Sequence, residues 1–564
     1  MNSNEMAPQS EPGSVADATS LDEAAGRRLS TVDPSNPSSS APRLLIVTGN
    51  LALLRGHYEG VITRLVRAGV HVSVRYLKDS SLSVDEYRAT LREADVEVDL
   101  RPAPRRSRQP ADVFALRLRE LGNILRYAHP DYAGRVVLAE RALEKTGAAA
   151  QFWGRGVRRL GPRWATNVAR LVAWLESTLP APEYAVRLLA AERPDAVAVV
   201  PVIRMPALVD YLKAALEMGV GTSVWVQSWD NLTNKGLLHF APDKVFVWNK
   251  TQVAELSRYH RVSTDRVCIT GAQTFDHWYN AAPVISRAEF CAGFGINPER
   301  PIILYLSSSR GIAPEEPAFF MRWLEAVRSS DDGRLSSATV LLRPHPTLAK
   351  AWHSRRFDRE PGVVVSPATV RDALNSNAFR EQYRAELHHS SLAFGINTTG
   401  LIDAAIFGKP ALTVELPELF DGQKGTVHFE HLAQVDAGLL RTASSLDEHV
   451  AMLSELAGRD PYGQDERSAA FIGTFVRPCG LDSQPAELFV EELLALCRTR
   501  ATIAPPRRAA RAIGRSTSLV VGGVGTALSQ RKPLAKRFRR IGRRVLRRGA
   551  LARGFRRIGR RVLR

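Results

Sequence analysis

The sequence has few cysteines, no long apolar run and no leader in which a basic patch precedes an apolar stretch. Only four of its 564 residues are cysteine, widely spaced and without a CxxC pair. This argues against a disulfide scaffold and against a cysteine-based zinc site. No apolar run approaches the roughly 18 residues of a membrane span, and the polar, acidic N-terminus is unlike a secretory signal. We therefore expect a protein of the reducing cytosol that is neither secreted nor embedded in a membrane.

Acidic residues are absent from residues 501–564, which carry 20 lysines and arginines. The formal net charge of +19 belongs to this segment, because residues 1–500 hold 57 basic and 58 acidic side chains. A near-neutral body argues against an extended nucleic-acid-binding surface there, since such a surface must neutralise many phosphates. Hydrophobic residues make up 45% of the chain. At roughly 100–200 residues per domain, two or three domains can each bury a core.

The order of apolar runs predicts an α/β protein with two Rossmann-like domains. Residues 1–40 are rich in Ser, Pro and Ala, which predicts a disordered leader. Strand, helix and strand then follow one another, which indicates a parallel βαβ unit. We predict an N-terminal domain over 41–280, with a basic helical insertion at about 104–190, and a C-terminal domain over 281–503. Ligands of such a pair are expected in the cleft at the carboxyl ends of the strands.

The basic segment 504–564 contains one sequence twice, FRRIGRRVLR, at Phe538–Arg547 and Phe555–Arg564. In each copy Phe, Ile and Val recur every three or four residues, so they share one face of a helix. Arginine occupies the other positions. This pattern is typical of a segment that lies on an anionic membrane surface. Basic tails also bind nucleic acid, but that role does not require a regular apolar stripe.

Polar residues follow two apolar runs of the predicted second domain. Arg343 and His345, in the sequence RPHP, come directly after TVLL, and both side chains can donate to phosphate oxygens. Asn397, Thr398 and Thr399 stand between SLAFGI and a predicted helix, where they can cap the helix and donate to a ligand. The alternatives are a structural arginine, a histidine packed between prolines and an ordinary helix cap.

The predicted helix after this turn begins at Gly400. Its free N–H groups and partial positive charge suit a diphosphate, and a glycine lets a phosphate approach the backbone. Asp403 lies one turn further along, where its carboxylate can accept from ribose hydroxyls. Taken alone, an ordinary cap with a solvated aspartate explains this motif equally well.

A second cluster of polar residues follows a strand of the predicted first domain. Trp229, Asp230, Asn231 and Lys235 come after the run TSVWVQS. Asp230 is a candidate general base if it lies within hydrogen-bond reach of an acceptor hydroxyl. The alternative is an Asp-Asn turn, which is a common use of both residues.

Two further candidates in the first domain are Asp276, in GAQTFDHWY, and His57, in the loop predicted after the first strand. A lone histidine is more often structural than catalytic, so His57 is the second choice of base. The same loop lacks GxGxxG and the Walker pattern, which gives no support to NAD or P-loop chemistry.

Taken in order, these motifs resemble the CDP-glycerol glycerophosphotransferase branch of the GT-B glycosyltransferases, a clan that includes the UDP-N-acetylglucosamine 2-epimerase fold. The branch has Gln-x-Trp-His-Gly-Thr followed by Lys, then Gly-x-Pro-Arg-x-Asp, then Arg-x-His-Pro, then Ser-Ser-x-x-x-Asp before Gly-Lys-Pro. The corresponding residues are Gln227 to Asn231 with Lys235, Gly271 to Asp276, Arg343 to Pro346, and Thr398 to Asp403 before Gly408-Lys409-Pro410. The resemblance covers about residues 43–500 without the helical insertion.

Two departures separate the chain from that branch. Asp230 stands where the branch has its catalytic histidine, and the arginine of the Gly-x-Pro-Arg motif is missing. Residues on the donor side are therefore retained, whereas residues on the acceptor side have changed.

The resemblance implies a metal-independent inverting transferase, and the basic segment 504–564 would hold it at the inner face of the plasma membrane. It would move a glycosyl or polyol-phosphate group from a nucleotide-diphosphate donor to a cell-surface polysaccharide or lipid-linked acceptor, with no cofactor besides that donor. The matched sites contain no DxD metal motif. The donor would be held by Arg343, His345, Asn397, Thr398, Thr399, Gly400 and Asp403. The acceptor would meet Trp229, Asn231, Lys235 and Asp276, with Asp230, His57 and His345 as the catalytic candidates.

Two alternatives stay open at this point. One is an epimerase or hydrolase on the same fold, which would consume a nucleotide sugar without an acceptor. The other is a degenerate, non-enzymatic scaffold whose basic tail binds nucleic acid, although nucleic acid is not the expected partner.

Overall fold

Two parallel sheets, one after the other along the chain, organise the protein. The computed structural model describes residues 41–77, 82–144, 146–201, 203, 205–279, 284–348, 351–352, 357–366, 377–434 and 438–499. The predicted leader 1–40 and basic segment 504–564 lie outside these ranges. Within them, the predicted α/β fold with two Rossmann-like domains is confirmed.

The first sheet has seven strands among the described residues, in the order β3-β2-β1-β4-β5-β6-β7, and neighbouring strands are parallel. The strand order reverses on the two sides of β1, which is the switch point where such sheets bind ligands. The strands are β1 (Arg43–Thr48), β2 (His71–Tyr76), β3 (Asp99–Pro102), β4 (Ala196–Val200), β5 (Gly221–Trp225), β6 (Lys244–Val247) and β7 (Val267–Ile269).

The second sheet has six strands in the described part of the chain, also parallel, in the order β10-β9-β8-β11-β12-β13. The reversal of order here lies between β8 and β11. The strands are β8 (Ile302–Leu306), β9 (Thr339–Arg343), β10 (Val363–Val365), β11 (Leu392–Phe394), β12 (Ala411–Val414) and β13 (Leu440–Ala443).

Helices cover both faces of each sheet, because the central strands are apolar on both sides. Leu44 and Ile46 of β1 pack into one hydrophobic cluster, while Leu45 and Val47 pack into another on the opposite face. Near-continuous apolar runs of this kind are typical of parallel sheets. In the described residues no helix is long and apolar enough to cross a membrane.

The helices before β8 are α1 (Leu51–Arg67), α2 (Val84–Glu93), α3 (Pro110–Leu125), α4 (Val136–Glu144), α5 (Ala148–Arg159), α6 (Pro162–Thr178), α7 (Glu183–Glu192), α8 (Val209–Met218), α9 (Asn231–Asn234), α10 (Lys250–Glu255), α11 (Asp276–Tyr279) and α12 (Arg287–Phe294). Those after β8 are α13 (Glu316–Arg328), α14 (Gly333–Ser336), α15 (Asn377–His389), α16 (Gly400–Ile406), α17 (Phe429–Ala433), α18 (Leu446–Ala457), α19 (Glu466–Phe471) and α20 (Pro485–Arg498).

The predicted helical insertion consists of α3 to α6, between β3 and β4. A buried arginine on α3 joins it to the first domain. The Arg119 guanidinium donates to Glu176 Oε1 on α6 (2.6 Å) and to Asp210 Oδ1 on α8 (2.7 Å). Lys213 Nζ lies 3.6 Å from Glu176 and Arg106 Nε lies 2.9 Å from Asp210, so both carboxylates are shared with a second cation, and removing one of them would leave buried positive charge uncompensated.

The last described helix, α20, packs against the first sheet, although it follows the second sheet in the chain. The ring of Phe489 stacks on that of Phe246 in β6 with 4.0 Å between the centroids, and it meets Trp225 of β5 edge-on. The predicted boundary at residue 280 assigns this helix to the second domain. Its apolar face instead belongs to the core of the first.

Candidate functional site

A cleft of about 640 Å³ opens where the carboxyl ends of the two sheets face each other. Its wall on the first sheet comes from α1 and from the segment after β5, and its wall on the second sheet comes from the segments after β8, β9 and β11. Most of the sequence-predicted site residues meet there. Those that line the cleft are His57, Trp229, Asp230, Asn231, Lys235, His345, Asn397, Thr398, Thr399 and Asp403.

Three predicted residues do not line this cleft. Arg343 is buried behind the wall, where it donates to Glu386 (2.5 Å) and lies over the ring of Tyr383. Gly400 packs so closely that a Cβ would stand 3.0 Å from the Tyr383 hydroxyl. Asp276 lines a neighbouring cavity of about 420 Å³.

Asp276 ties the first domain to the segment that precedes and starts α20. Its carboxylate accepts from Arg477 Nη2 (3.2 Å) and from the backbone N–H of Ala486 (3.2 Å). Burial raises the pKa of Asp276 to about 6, against the lowering effect of these two donors. Its contacts are those of a structural residue that holds the C-terminal segment in place.

Asp230 and Lys235 form an ion pair in the wall on the first sheet. Lys235 Nζ lies 2.7 Å from Asp230 Oδ2, and the two side chains are 26% and 16% exposed. Asn231 and Asn234 donate their side-chain amides to the same carboxylate, at 3.0 and 3.3 Å. The short helix α9 places these donors around Asp230, because they lie one and four residues after it.

This arrangement holds Asp230 in its ionised form. Burial alone would raise the pKa of Asp230, but the nearby Lys235 ammonium and its hydrogen bond keep it well below its usual range. A carboxylate of such low pKa binds a proton weakly, and a general base works best near the operating pH. The geometry therefore favours Asp230 as a fixed negative charge rather than as the proton acceptor.

His57 lies inside a helix and not, as expected, in a loop. Helix α1 begins at Leu51, directly after Asn50 caps it by accepting from the backbone N–H of Leu53 (3.2 Å). The glycines at positions 56 and 60 lower the helix propensity of this stretch. Its buried face of Leu, Tyr, Val and Ile overrides that preference.

The ring of His57 is held by two partners in the cleft. Gln227 Nε2 donates to His57 Nε2 (3.0 Å), so the ring proton stands on Nδ1 and is donated to Thr274 Oγ1 (2.8 Å). Both partners belong to segments that follow strands of the first sheet. They orient the imidazole toward the same space as the Asp230–Lys235 pair.

His428 also lines the cleft, and the sequence did not indicate it. Its ring lies 5.0 Å from that of Trp229 at 71°, and its Nδ1 is buried without a hydrogen-bond partner among the described residues. Burial lowers the pKa of His428 to about 3, although the Asp230 carboxylate opposes this shift. The other candidates are recognised as polar residues that follow an apolar run. His428 precedes α17 and follows no apolar run, so it is not recognised.

Hydrogen-bond donors dominate the wall on the second sheet. His345 Nδ1 accepts from the backbone N–H of Thr347 (3.1 Å), so its ring proton stands on Nε2. Thr398 Oγ1 accepts from the backbone N–H of Gly400 at the start of α16 (3.4 Å), whereas Thr399 makes no capping hydrogen bond to that helix. Its hydroxyl instead accepts from Trp229 Nε1 across the cleft (3.2 Å).

Asp403 is anchored by two donors from different segments. Trp278 Nε1 donates to its Oδ1 (2.9 Å) and the Tyr383 hydroxyl donates to its Oδ2 (3.0 Å). Burial raises the pKa of Asp403 to about 6 despite these two hydrogen bonds. Each oxygen keeps a further lone pair for a ligand hydroxyl, as the sequence-based role requires.

Cationic side chains from three elements line the cleft. Besides Lys235 they are Arg141 of α4 and Arg380 of α15. Such groups suit a ligand that carries negative charge. Across the described ranges, no three His, Cys, Asp or Glu side chains are grouped so that they could hold a metal ion.

No model of a known protein family matches the sequence, and no curated protein matches it either. Among solved structures, the chain is similar to the UDP-GlcNAc 2-epimerase from Neisseria meningitidis bound to UDP-GlcNAc, with 11% identity, a TM-score of 0.46, and coverage of 80% of this chain and 100% of that one. It is also similar to a glycosyltransferase from Rickettsia africae (12%, TM-score 0.44, coverage 82% and 98%). A third similar structure is the UDP-GlcNAc 2-epimerase from Methanocaldococcus jannaschii (9%, TM-score 0.44, coverage 80% and 99%). At TM-scores below 0.5 these likenesses carry no argument about what this chain does.

Proposed function

We propose that the chain is a metal-independent inverting transferase that uses a nucleotide-diphosphate donor. It would pass a glycosyl or polyol-phosphate group to a polysaccharide or lipid-linked acceptor. One observation carries the proposal: a single cleft of about 640 Å³ collects polar side chains from the carboxyl ends of both parallel sheets. That volume lies within the roughly 300–1,000 Å³ of small-molecule sites.

The wall on the second sheet suits the donor. His345 Nε2–H and the Thr398 hydroxyl can donate to phosphate oxygens, and Asp403 can accept from ribose hydroxyls. Arg380 adds positive charge where a diphosphate leaves. Fixed donors aimed at developing negative charge are the main source of catalysis in a transfer of this kind.

The wall on the first sheet suits the acceptor, and we assign the base to His57. The acceptor hydroxyl would replace the Gln227 amide as hydrogen-bond partner of His57 Nε2, and this nitrogen would take its proton as the oxygen attacks the sugar carbon. The bond from this carbon to the phosphate oxygen then breaks, and its electron pair leaves with the diphosphate. Asp230, held ionised by Lys235, would stabilise the positive imidazolium and the cationic sugar.

The place of action is proposed to be an anionic membrane surface on the inner side of the cell. The argument is the arginine-rich amphipathic repeat in residues 504–564. Each basic residue near an anionic surface contributes about 1 kcal/mol to the free energy of binding, so a fraction of the 20 basic residues is sufficient to hold the protein on the membrane. Deleting this segment is expected to shift the protein from the membrane to the soluble fraction, and unchanged fractionation would contradict this role.

The donor site is tested by thermal unfolding of the full chain with UDP, CDP, GDP or ADP, with and without magnesium. A ligand at 100 times its Kd stabilises the fold by about 2.7 kcal/mol, which is readily measured. We expect one diphosphate to raise the Tm without magnesium. His345→Ala should abolish the shift, whereas His71→Ala, at an exposed position outside the cleft, should retain it.

Two other outcomes would overturn the proposal. If no diphosphate shifts the Tm, the body is a degenerate scaffold. If the purified chain consumes a nucleotide sugar without any acceptor, it is an epimerase or a hydrolase. Product analysis with the donor alone separates the second outcome from transfer.

A further inference from the structure

Helices α5 and α6 of the insertion present large apolar side chains to solvent. Their exposed fractions run from 53% at Leu171 to 72% at Phe152. All three of the exposed tryptophans lie here, whereas the other six tryptophans of the chain are buried or half-buried. The exposed residues are Phe152, Trp153, Leu160, Trp164, Leu171 and Trp174.

Helix α6 is apolar on two faces, and only one of them is used for folding. Val168, Val172 and Leu175 pack with α3 in a small hydrophobic cluster. Trp164, Leu171 and Trp174 follow the spacing i, i+7, i+10, so they share the outward face. On α5, Phe152 and Trp153 stand in edge-to-face contact with 5.7 Å between their centroids. Exposed apolar surface on this scale marks an interaction site.

The exposed part of these two helices carries positive charge and no negative charge, since the one carboxylate, Glu176 of α6, is buried. Residues 146–175 contain five arginines and neither aspartate nor glutamate. Arg155 and Arg159 on α5, like Arg163 and Arg170 on α6, are exposed. Tryptophan and arginine side by side are the combination that interfacial helices place at the level of lipid headgroups.

We propose that α5 and α6 form a lipid-docking surface, defined by Phe152, Trp153, Trp164, Leu171 and Trp174, that binds an anionic bilayer. The aromatic side chains enter the boundary between headgroups and acyl chains. The flanking arginines pair with lipid phosphates. This contact stands apart from the proposed function, because it requires no activity of the cleft.

The positive charge of the lipid-docking surface indicates which kind of partner binds it. A second copy of the chain would bring five further arginines against the first five, and the basic segment 504–564 carries the same sign. Residues 1–40, with six acidic and two basic side chains, have the opposite sign. Their large apolar residues are scattered and none is aromatic (Met1, Met6, Val15, Leu21, Leu29 and Val32), so the bilayer fits both properties better.

The insertion connects this surface to the cleft. Helix α4, directly before α5, contributes Arg141 to the cleft wall and packs Leu138 against Val427 of the second domain. Docking through α5 and α6 would therefore bring the cleft close to lipid headgroups. This last step rests on the proposed function, since it matters only if the acceptor is lipid-linked.

Vesicle binding of the full chain tests the proposal. The vesicles contain equal parts phosphatidylglycerol and phosphatidylcholine with brominated acyl chains, and phosphatidylcholine vesicles serve as the neutral reference. Bromine quenches tryptophans that enter the bilayer, so it distinguishes docking by α5 and α6 from tethering by the tail. We expect strong quenching with the anionic vesicles and little with the neutral ones.

Co-sedimentation of a matched pair of variants completes the test. Trp164→Ser/Leu171→Ser/Trp174→Ser should lower the partition coefficient by about tenfold or more, because three apolar side chains no longer enter the lipid. Met218→Ser/Ile285→Ser/Leu481→Ser changes three other exposed apolar residues and should bind like the parent. An unchanged Tm shows that either variant is folded.

Two results would overturn the proposal. The first is a parent that sediments with anionic vesicles while its tryptophans stay unquenched, which would leave the tail as the only contact. The second is tryptophans already shielded from acrylamide in the absence of vesicles. That would mean that residues 1–40 or a second copy cover the surface.

Discussion

At the scale of single residues, the Asp230–Lys235 pair sets the charge of the wall on the first sheet. The two side chains are mostly buried, and the carboxylate takes three donors from one short helical segment. The same residues that make Asp230 a weak base thereby make it a stable anion. Its contribution is expected to be visible in stability as well as in activity.

Lys235→Met is expected to destabilise the protein by about 1–3 kcal/mol, because it leaves a largely buried carboxylate without its cation. The double variant Asp230→Asn/Lys235→Met should recover most of this loss. Urea denaturation of the parent, both singles and the double gives the coupling energy. Strictly additive effects would contradict the pairing.

The pH dependence of that coupling follows from the low pKa of Asp230. The pKa of Asp230 is lower in the folded state than in the unfolded state, where it is about 3.9. The ion pair with Lys235 therefore stabilises the folded protein above a pH of about 3.9. The contribution is lost as the pH falls through the folded pKa. The difference between parent and Lys235→Met should therefore shrink only in strongly acidic buffer.

The contribution of Asp403 to stability depends on pH in the opposite direction. Its pKa in the folded state, about 6, lies above that of an aspartate in the unfolded chain. Its favourable contribution is complete below pH 4 and is lost as the pH rises through 6. Asp403→Asn cannot ionise, so its stability relative to the parent should rise by about 2 kcal/mol between pH 4 and pH 7. Urea denaturation at both pH values measures this, and a constant difference would refute it.

At the scale of elements, two glycines of α5 have different surroundings, so substituting each of them distinguishes the effect of close packing from the effect of helix propensity. A Cβ at Gly154 would stand 2.6 Å from Ile124 Cγ2 on α3, whereas a Cβ at Gly156 would meet nothing within 4 Å. Gly154 thus lies where α5 packs directly against α3, and Gly156 faces solvent.

Gly156→Ala is expected to stabilise the protein by about 0.5–1 kcal/mol, since alanine favours the helix. Gly154→Ala gains the same preference but must displace Ile124, so we expect a net loss of about 1 kcal/mol or more. The two variants are controls for each other in urea denaturation. Equal gains would show that α5 does not need its close contact with α3.

Three edge strands, β3, β10 and β13, are too short or too polar to stand out as apolar runs in the sequence. β3, β10 and β13 each close one side of a sheet and are only partly buried. A strand in the middle of a parallel sheet is buried on both faces and reads as an apolar run, but an edge strand need not. For this reason the central strands, and the polar residues that follow them, could be located from the sequence alone.

Contacts between distant segments of the site could not be predicted in the same way. Thr274 and Gln227 hold His57, and Trp278 holds Asp403, over separations of more than 100 residues. Each partner is an ordinary loop or helix residue in the sequence. Only the approach of the two sheets shows which side chains meet.

At the scale of the whole molecule, α20 closes the core of the first domain. The boundary predicted at residue 280 places this helix in the second domain, whereas its apolar face covers the first sheet. Phe489 is 1% exposed and contacts the rings of Phe246, Trp225 and Tyr58. The stability of the first sheet therefore depends on residues near the end of the described chain.

Phe489→Ala is expected to cost about 3–5 kcal/mol, as a large cavity in a core does. Hydrogen exchange should rise in β5 and β6, which α20 covers, more than in β8 and β9 of the second sheet. Leu481→Ala, at a half-exposed position just before α20, is the control and should change little. Faster exchange confined to α20 itself would show that the helix is dispensable for the first sheet.

The position of α20 also constrains how the chain folds during synthesis. About 200 residues separate β7 from α20, and at roughly 5–20 residues per second the ribosome needs on the order of 10–40 s to make them. Throughout that interval the nascent first domain exposes the apolar face that Phe489 later covers. A binder of exposed apolar surface, such as a ribosome-associated chaperone, would find its substrate there, and it would be displaced once α20 has emerged.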